Sequence, residues 1–127
     1  MIPIKDWHEL AAMRTAGRKL AEVVERIRPL IQVGVTTEEV DRKTQEAIAE
    51  LGARPAFLGY RVGKAVFPKT LCVSINEQVV HGIPGKRIVQ PTDLVSVDFG
   101  LVDSSSYYVD MAFTVAMPET DEKSRCL

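Results

Sequence analysis

The spacing of apolar residues changes near Ala53, and this change constrains the fold more than any other feature of the 127-residue chain. In two earlier segments, residues 6–28 and 36–52, apolar residues recur every three or four positions, which predicts two amphipathic helices. Asp6 and Thr36 are predicted to cap these helices, each with a glutamate three residues later. Beyond Ala53, short apolar runs alternate with turns that contain glycine or proline, which is typical of strands. The order of two helices followed by four or five mainly antiparallel strands predicts an α+β fold, with the helices covering one face of the sheet.

The strand-forming part of the chain divides into five predicted strands. They cover residues 55–60, 70–76, 79–85, 93–102 and 107–117, of which the third is short and runs into a Gly/Pro turn. Residues 61–68 are predicted to be irregular, and residues 118–123 begin a third helix that has barely two turns before Leu127. There is no linker or internal repeat, so residues 1–127 are expected to form a single domain, in a chain that ends partway through a larger protein.

Composition and charge exclude several classes of protein. Hydrophobic residues make up 46% of the chain and charged residues 26%, which is ordinary for a globular protein and argues against disorder. The net charge of −1 gives no electrostatic reason to expect binding to nucleic acid or membranes, and basic pairs such as Lys86-Arg87 are interpreted as solvated loop charges. No apolar run approaches the ~18–20 residues that a membrane span needs, and the charged N-terminus does not resemble a secretory signal. A cytoplasmic protein with Cys72 and Cys126 as free thiols is therefore expected.

Two aspartates, Asp98 and Asp110, lie in the last two predicted strands, which a short polar turn joins. If Val102 pairs with Ser106 around a three-residue loop, the two carboxylates face each other across the strands. Like charges opposed at about 4.5–5.5 Å are destabilising, so carboxylates placed there among apolar residues need a cation between them, or one must be protonated. A divalent metal ion is favoured because carboxylate oxygens are hard ligands. A register shifted by one residue would instead turn one carboxylate to water, and the spacing leaves both arrangements open.

Five further residues could line a binding site, although each also has an ordinary structural explanation. His81 precedes a Gly-Ile-Pro turn that would expose its ring towards a ligand, whereas a lone histidine near a strand end is more often a hydrogen-bonded structural residue. Cys72 lies within an apolar run, which favours packing or pocket lining over nucleophilic chemistry. The aromatic residues Phe57, Tyr60 and Phe67 lie around the irregular segment and could line an apolar pocket or simply belong to the core.

Several short motifs are arranged along the chain in a specific order. They are MRTAGR at 13–18, GVTT at 34–37, PAFLGY at 55–60, CVSINE at 72–77, VHGIP at 80–84 and DLVSVDFG at 93–100, followed by Asp110. Together they closely resemble the N-terminal half of the type I methionine aminopeptidases, and the resemblance covers essentially the whole chain. The NE…HGIP string is quite specific, because type II enzymes and the prolidase relatives usually have other residues after the histidine.

The resemblance implies a pita-bread fold, in which two pseudo-symmetric halves surround two divalent metal ions (Mn, Fe, Co or Zn). It implies that Asp98 chelates one metal, that Asp110 bridges both, and that His81 contacts the scissile amide of the substrate. The implied pocket for the methionine side chain is lined by Phe57, Tyr60, Phe67 and Cys72. The implied reaction is hydrolytic removal of the initiator methionine from nascent polypeptides, with the ribosome as a candidate partner.

The remaining metal ligands and the general base of this family belong to a C-terminal half that the sequence does not contain. The isolated 127-residue chain is therefore expected to be inactive. Two alternatives stay open: an inactive pita-bread binding protein associated with the ribosome or a chaperone, and a half-domain that associates with a second copy of itself. The stretch between Tyr60 and Pro68 is also longer than is usual in the family, which could reshape the pocket.

Overall fold

The computed structural model describes residues 4–125, except for the side chain of Val62; Cys126 lies outside the described residues. The helices in this part of the chain are α1 (Trp7–Ile27), α2 (Thr37–Glu50) and the single-turn α3 (Glu122–Arg125). The strands are β1 (Arg54–Pro55), β2 (Arg61–Val62), β3 (Ala65–Val66), β4 (Leu71–Ile75), β5 (Leu94–Val102) and β6 (Tyr108–Ala116). The predicted α+β fold class is confirmed.

The two long helices form because a capped start is followed by an apolar stripe. The Asp6 carboxylate accepts a hydrogen bond from the backbone N–H of Glu9 (2.9 Å), and the Glu9 carboxylate accepts one from the N–H of Asp6 (2.8 Å), which completes a capping box. At the start of α2, Thr36 Oγ1 accepts a bond from the N–H of Glu39 (3.2 Å). The buried apolar residues of the two helices are Ala16, Leu20, Val23, Val24, Ile27, Val40, Ala47 and Ile48. They pack with one face of the sheet in a common core, so both helix predictions are confirmed.

A four-stranded antiparallel sheet is organised around β5. Strand β6 pairs along one edge of β5, from Leu94 opposite Ala116 to Val102 opposite Tyr108. The other edge pairs first with β4 and then with the two residues of β1. Alternate residues of β5 are buried against the helices, namely Val95, Val97, Phe99 and Leu101. The opposite face, called the open face below, comprises Cys72, Ser74, Ser96, Asp98, Gly100, Asp110, Ala112 and Thr114.

Two strand predictions and one prediction of an irregular segment were wrong. Of residues 55–60, only Pro55 is in a strand, because the chain leaves the sheet there and turns at Gly59, whose φ is +80°. Residues 79–85 form no strand, since the positive φ of His81 (60°) interrupts the extended backbone. The segment 61–68, predicted to be irregular, contains the hairpin of β2 and β3.

The loop between β4 and β5, which carries His81, is held by the buried residue Asp93. The Asp93 carboxylate accepts hydrogen bonds from Arg87 Nη2 (2.9 Å), Asn76 Nδ2 (2.9 Å) and the backbone N–H of Gln90 (2.8 Å). The interpretation of Arg87 as a solvated loop charge was therefore wrong, because its guanidinium neutralises a buried carboxylate. No helix among residues 4–125 combines the length and the apolar composition needed to cross a membrane.

Candidate functional site

The two aspartates lie on the same open face, but they do not oppose each other directly. Asp98 pairs with Ala112 and Asp110 pairs with Gly100, so the predicted pairing of the two aspartates was wrong by two residues. A shift by two residues keeps both side chains on one face, whereas the alternative shift by one would have separated them. The carboxylates are therefore diagonal neighbours across β5 and β6.

The register differs from the prediction because the turn of the hairpin is longer than three residues. The last pair is Val102 with Tyr108, which leaves residues 103–107 in the turn. The Asp103 carboxylate accepts a hydrogen bond from the N–H of Ser105 (2.9 Å), and the Asp103 carbonyl accepts one from the N–H of Ser106 (3.0 Å). Ser106 adopts a left-handed φ of 65°. This side-chain-supported turn adds the two residues that move the register.

Gly100 provides the space in which Asp110 is accommodated. A Cβ atom on Gly100 would lie 2.7 Å from the carbonyl oxygen of Val109 and 3.2 Å from the Cβ atoms of both Ala56 and Asp110. Any larger residue at this position would therefore have to displace the β6 backbone. Glycine here keeps Asp110 close to the centre of the open face.

The electrostatics of Asp98 fit a site for a cation. Burial raises the pKa of its carboxyl above the ordinary value, the negative charge of Asp110 raises the pKa further, and His81 acts in the opposite direction. Neither Asp98 nor Asp110 has a salt-bridge partner within residues 4–125. Two carboxylates on one face without a cationic side chain form a donor set suited to a divalent metal ion.

The donor set is incomplete in the part of the chain that the structure describes. Residues 4–125 contain no group of three or more His, Cys, Asp or Glu side chains that could hold a metal ion. Asp98 and Asp110 would therefore supply only part of the coordination shell of a metal ion.

An apolar pocket of about 320 Å³ adjoins Asp98. Its lining consists of Phe57, Tyr60, Phe67, Cys72, His81, Ile83 and Asp98. The structure thus brings together all four residues predicted to line a substrate pocket, and it places them with His81 and one of the two predicted metal ligands. Ile83 was missed by the sequence reasoning, although its position two residues after His81 in the same turn was a usable signal.

The β2–β3 hairpin positions the aromatic wall of this pocket. The N–H of Phe67 donates to the carbonyl oxygen of Tyr60 (2.8 Å), and the N–H of Gly59 donates to that of Phe67 (2.9 Å), so the base of the hairpin is closed. The rings of Phe57 and Phe67 meet edge to face, with centroids 6.4 Å apart and an angle of 84°. This wall is largely apolar, and backbone hydrogen bonds hold together the segments that carry its rings.

Cys72 forms the floor of the pocket beside Asp98. It is directly opposite Asp98 in the β4–β5 pair and is only 3% exposed. Burial and, secondarily, the charge of Asp98 raise the pKa of the Cys72 thiol to about 11. The side chain therefore stays a neutral thiol near neutral pH, which suits an apolar lining and not a nucleophile.

His81 reaches the pocket from a tight turn held against β4. Its φ is +60°, and the following residue, Gly82, lies so close to β4 that a Cβ atom would be 2.1 Å from the carbonyl oxygen of Val73. The motif that contains His81 thus needs glycine next to the histidine for a steric reason.

Comparison with known proteins gives a consistent result. A profile of metallopeptidase family M24 matches residues 11–127. Methionine aminopeptidase 1 of Bacillus subtilis (strain 168) is 40% identical over 114 residues, which cover 90% of this chain and 44% of that protein. The methionine aminopeptidase of Clostridium perfringens (strain 13 / Type A) is 36% identical over 127 residues, covering 100% of this chain and 49% of the relative. The crystal structure of methionine aminopeptidase from Rickettsia prowazekii has a TM-score of 0.93 at 30% identity and covers 100% of this chain and 49% of that one.

These matches confirm the resemblance seen in the sequence motifs. The chain spans about half the length of the curated relatives it matches. Its helices and antiparallel sheet correspond to half of the pita-bread fold of those structures. The chain belongs to metallopeptidase family M24.

Proposed function

We propose that the protein removes the N-terminal methionine from new polypeptides by metal-dependent hydrolysis. The observation that carries this proposal is the apolar pocket that His81 and Asp98 line together with aromatic rings and a thiol. The relatives cited above are named methionine aminopeptidases, and the pocket gives a chemical reason for the same substrate here. Residues 1–127 would form the N-terminal half of the catalytic domain, and the remaining length seen in the relatives would complete the site.

The pocket supports a medium-sized apolar side chain as the group recognised. Its volume of about 320 Å³ is at the small end of the range for ligand pockets, roughly 300–1,000 Å³. The edges and faces of Phe57 and Phe67 would contact the thioether of methionine, since sulfur packs favourably against aromatic rings. The neutral Cys72 thiol would add a soft, apolar contact on the floor.

Asp98 and Asp110 are the proposed metal ligands of this half. Their shared face, the raised pKa of Asp98 and the absence of a salt bridge to either residue within 4–125 support this assignment. Divalent cations bound there would polarise the scissile carbonyl and lower the pKa of a water molecule. We propose two such ions, with Mn, Fe, Co and Zn as candidates.

His81 is the proposed catalytic residue of this half. Because its ring lines the pocket that would hold the methionine side chain, the adjoining scissile amide would lie within its reach. An imidazole N–H would donate a hydrogen bond to the amide carbonyl oxygen, where negative charge develops during hydrolysis. The expected setting is the cytoplasm, where nascent polypeptides present their N-terminal methionine, with the ribosome as a candidate partner.

The proposal is tested by methionine release from the peptide Met-Ala-Ser. The full-length protein is freed of metal with a chelator and then supplied with Mn²⁺, Fe²⁺, Co²⁺ or Zn²⁺ in turn. Methionine should be released from Met-Ala-Ser but neither from the N-acetylated peptide, whose amine is blocked, nor from Lys-Ala-Ser, whose charged side chain does not suit the pocket. Absence of release with every metal would refute the proposal.

The role of His81 is tested with His81→Ala. We expect turnover to fall by about 100-fold, the usual effect of removing one donor to a developing oxyanion, while thermal stabilisation by the cation persists. His8→Ala is the matched control, because His8 is an exposed histidine of α1 outside the pocket and should leave turnover unchanged. Loss of cation-induced stabilisation in His81→Ala would make His81 a metal ligand instead.

A further inference from the structure

We infer that Ser74 is a positioning residue for His81: its hydroxyl group holds the Gly82 amide and thereby fixes the turn that directs His81 into the pocket. The inference rests on the proposed function, because it concerns how the proposed catalytic histidine is oriented. Ser74 would not itself touch the substrate, since it is absent from the pocket lining.

The Gly82 peptide is attached to β4 through both of its backbone polar groups. Its N–H donates to Ser74 Oγ (3.1 Å), and its carbonyl oxygen accepts a hydrogen bond from the N–H of Val73 (2.8 Å). Ser74 is only 4% exposed and Gly82 is buried, so water cannot readily replace the Ser74 hydroxyl as the acceptor. The loop is therefore hydrogen-bonded to the strand directly after His81.

The backbone of His81 makes this attachment important. A φ of +60° is uncommon for residues other than glycine and persists only where the surroundings enforce it. The attachment of Gly82 is the nearest enforcing contact, and the absence of a side chain on Gly82 allows the close approach to Val73. Without the Ser74 hydroxyl, the Gly82 N–H would lose its partner, and the turn could relax towards an ordinary φ that points the imidazole elsewhere.

Ser96 offers a comparison within the same sheet. It is directly opposite Ser74 in the β4–β5 pair and lies on the same open face, but its hydroxyl hydrogen-bonds to Thr114 Oγ1 (2.9 Å) instead of to the His81 loop. Two serines that are directly opposite each other, Ser74 buried and Ser96 half-buried, thus differ in whether they contact the loop. Ser96→Ala is consequently the matched control for Ser74→Ala.

The first test is a double-mutant cycle measured on methionine release by the full-length protein. Ser74→Ala should lower kcat by about tenfold with KM changed by less than about twofold, because the pocket is intact but the imidazole is misdirected. In a His81→Ala background, Ser74→Ala should have no further effect on kcat. Ser96→Ala should keep the kcat of the unaltered protein. Fully multiplicative effects of Ser74→Ala and His81→Ala, or an unchanged kcat in Ser74→Ala, would overturn the inference.

The second test does not depend on activity. Amide hydrogen exchange of Gly82 should accelerate by about tenfold or more in Ser74→Ala and stay unchanged in Ser96→Ala. The amide of Val97 in β5 serves as an internal reference, since its unchanged protection shows that the sheet of the variant is folded. If the unaltered protein releases no methionine, the proposed function fails while the exchange data still decide the inference. Unchanged protection of Gly82 in Ser74→Ala would then overturn it.

Discussion

At Asp98, folding and the proposed chemistry make opposite demands. A divalent cation needs the ionised carboxylate, whereas burial and the charge of Asp110 favour the protonated form and raise the pKa. A raised pKa means that the folded state binds the proton more tightly than the unfolded state, so that the folded state loses stability as the pH rises through these pKa values. The destabilisation is present above the raised pKa, where a bound cation would offset it.

Replacement of Asp98 by Asn should therefore stabilise the metal-free protein at pH 7. The amide has nearly the same shape but carries no charge, so we expect Tm to rise on the order of 1–4 °C. The difference should shrink as the pH falls below the ordinary carboxyl pKa of about 4, because the native aspartate is then neutral as well. Thermal unfolding monitored by circular dichroism between pH 3 and 8 measures both effects.

The same variant separates stability from metal binding. Thermal stabilisation by added Mn²⁺ or Co²⁺ should be lost in Asp98→Asn and in Asp110→Asn, since an amide is a poorer ligand than a carboxylate. Asp121→Asn is the control, because Asp121 is an exposed aspartate at the start of α3, away from the pocket. A full cation-induced shift in both site variants would contradict the assignment of these carboxylates as ligands.

At the scale of the strands, the position of Asp110 depends on the residue opposite it. Gly100→Ala places a Cβ atom 2.7 Å from the Val109 carbonyl oxygen, and the rigid β6 backbone must move to avoid it. We expect a loss of about 1–3 kcal/mol in the free energy of unfolding, which is typical of overpacking. Urea denaturation measures this loss, and the displaced strand should also weaken cation-induced stabilisation.

Gly17→Ala is a control that should change the stability of the protein in the opposite direction to Gly100→Ala. It lies within α1, and a Cβ atom there would meet no atom within 4 Å. Gly17→Ala should therefore stabilise the protein by up to about 1 kcal/mol, because alanine favours the helix. If both glycine variants changed stability in the same direction, the steric explanation for Gly100 would be wrong.

A side-chain hydrogen bond connects the start of α1 to the turn of the β5–β6 hairpin. The Tyr107 hydroxyl donates a hydrogen bond to Glu9 Oε1 (2.8 Å). This bond is the main reason why the pKa of Tyr107 is raised. Burial and the negative charges of Glu9 and Asp6 raise the pKa further. Only the protonated phenol can donate the bond. The stabilisation is thus fully present below the ordinary tyrosine pKa of about 10 and is lost as the pH rises through the raised value.

Tyr107→Phe should accordingly lower Tm slightly at pH 7, and the difference from the unaltered protein should disappear at strongly alkaline pH. Thermal melts of both proteins between pH 7 and 11 provide the comparison. Tyr108→Phe is the control, since Tyr108 is the exposed neighbour whose hydroxyl has no hydrogen-bond partner within residues 4–125. A pH-independent difference for Tyr107→Phe would show that ring packing, and not the hydrogen bond, connects these elements.

The sequence was sufficient where local chemistry decides the structure. Helices α1 and α2 were predictable because caps and apolar stripes lie within a few residues of one another. The hairpin register was not predictable, because it depends on a five-residue turn that the Asp103 side chain stabilises. Neither was the attachment of Gly82 to β4, since it joins residues that only the folded sheet brings together.

For the candidate site as well, local motifs were predictable from the sequence, whereas contacts formed only in the folded protein were not. The residues that the motifs grouped, Phe57, Tyr60, Phe67 and Cys72, line one pocket, whereas their role in binding a substrate stays a prediction. The salt bridge of Arg87 with buried Asp93 escaped notice because a basic residue in a polar loop looks solvated in sequence. Asp93 is buried only in the folded protein, which no local sequence pattern encodes. Its ion pair with Arg87 then helps to hold the loop that carries His81.

At the scale of the whole molecule, the two faces of the sheet are unequal. Helices α1 and α2 bury one face in the core, whereas Asp110, Ala112 and Thr114 on the open face are exposed. Exposed apolar residues also surround the pocket, among them Tyr60 and Ile83. A surface of this kind is expected to be covered by further protein, and the chain accounts for about half the length of its relatives.

We therefore expect the isolated 127-residue polypeptide to release no methionine from Met-Ala-Ser with any of the four metals, while the full-length protein does. Within residues 4–125, Asp98 and His81 line the pocket and Asp110 lies on the same open face, but there is no group of three side chains that could hold a metal ion. We therefore expect the proposed coordination of two cations to need ligands from outside these residues. Light scattering, measured alongside the assay, shows whether copies associate through the open face. Activity in a dimer of the short polypeptide would mean that a second copy supplies the missing ligands, and the proposed N-terminal half would then be a self-sufficient unit. Activity in a monomer would contradict the incomplete donor set itself and would require ligands beyond Asp98 and Asp110 in this half.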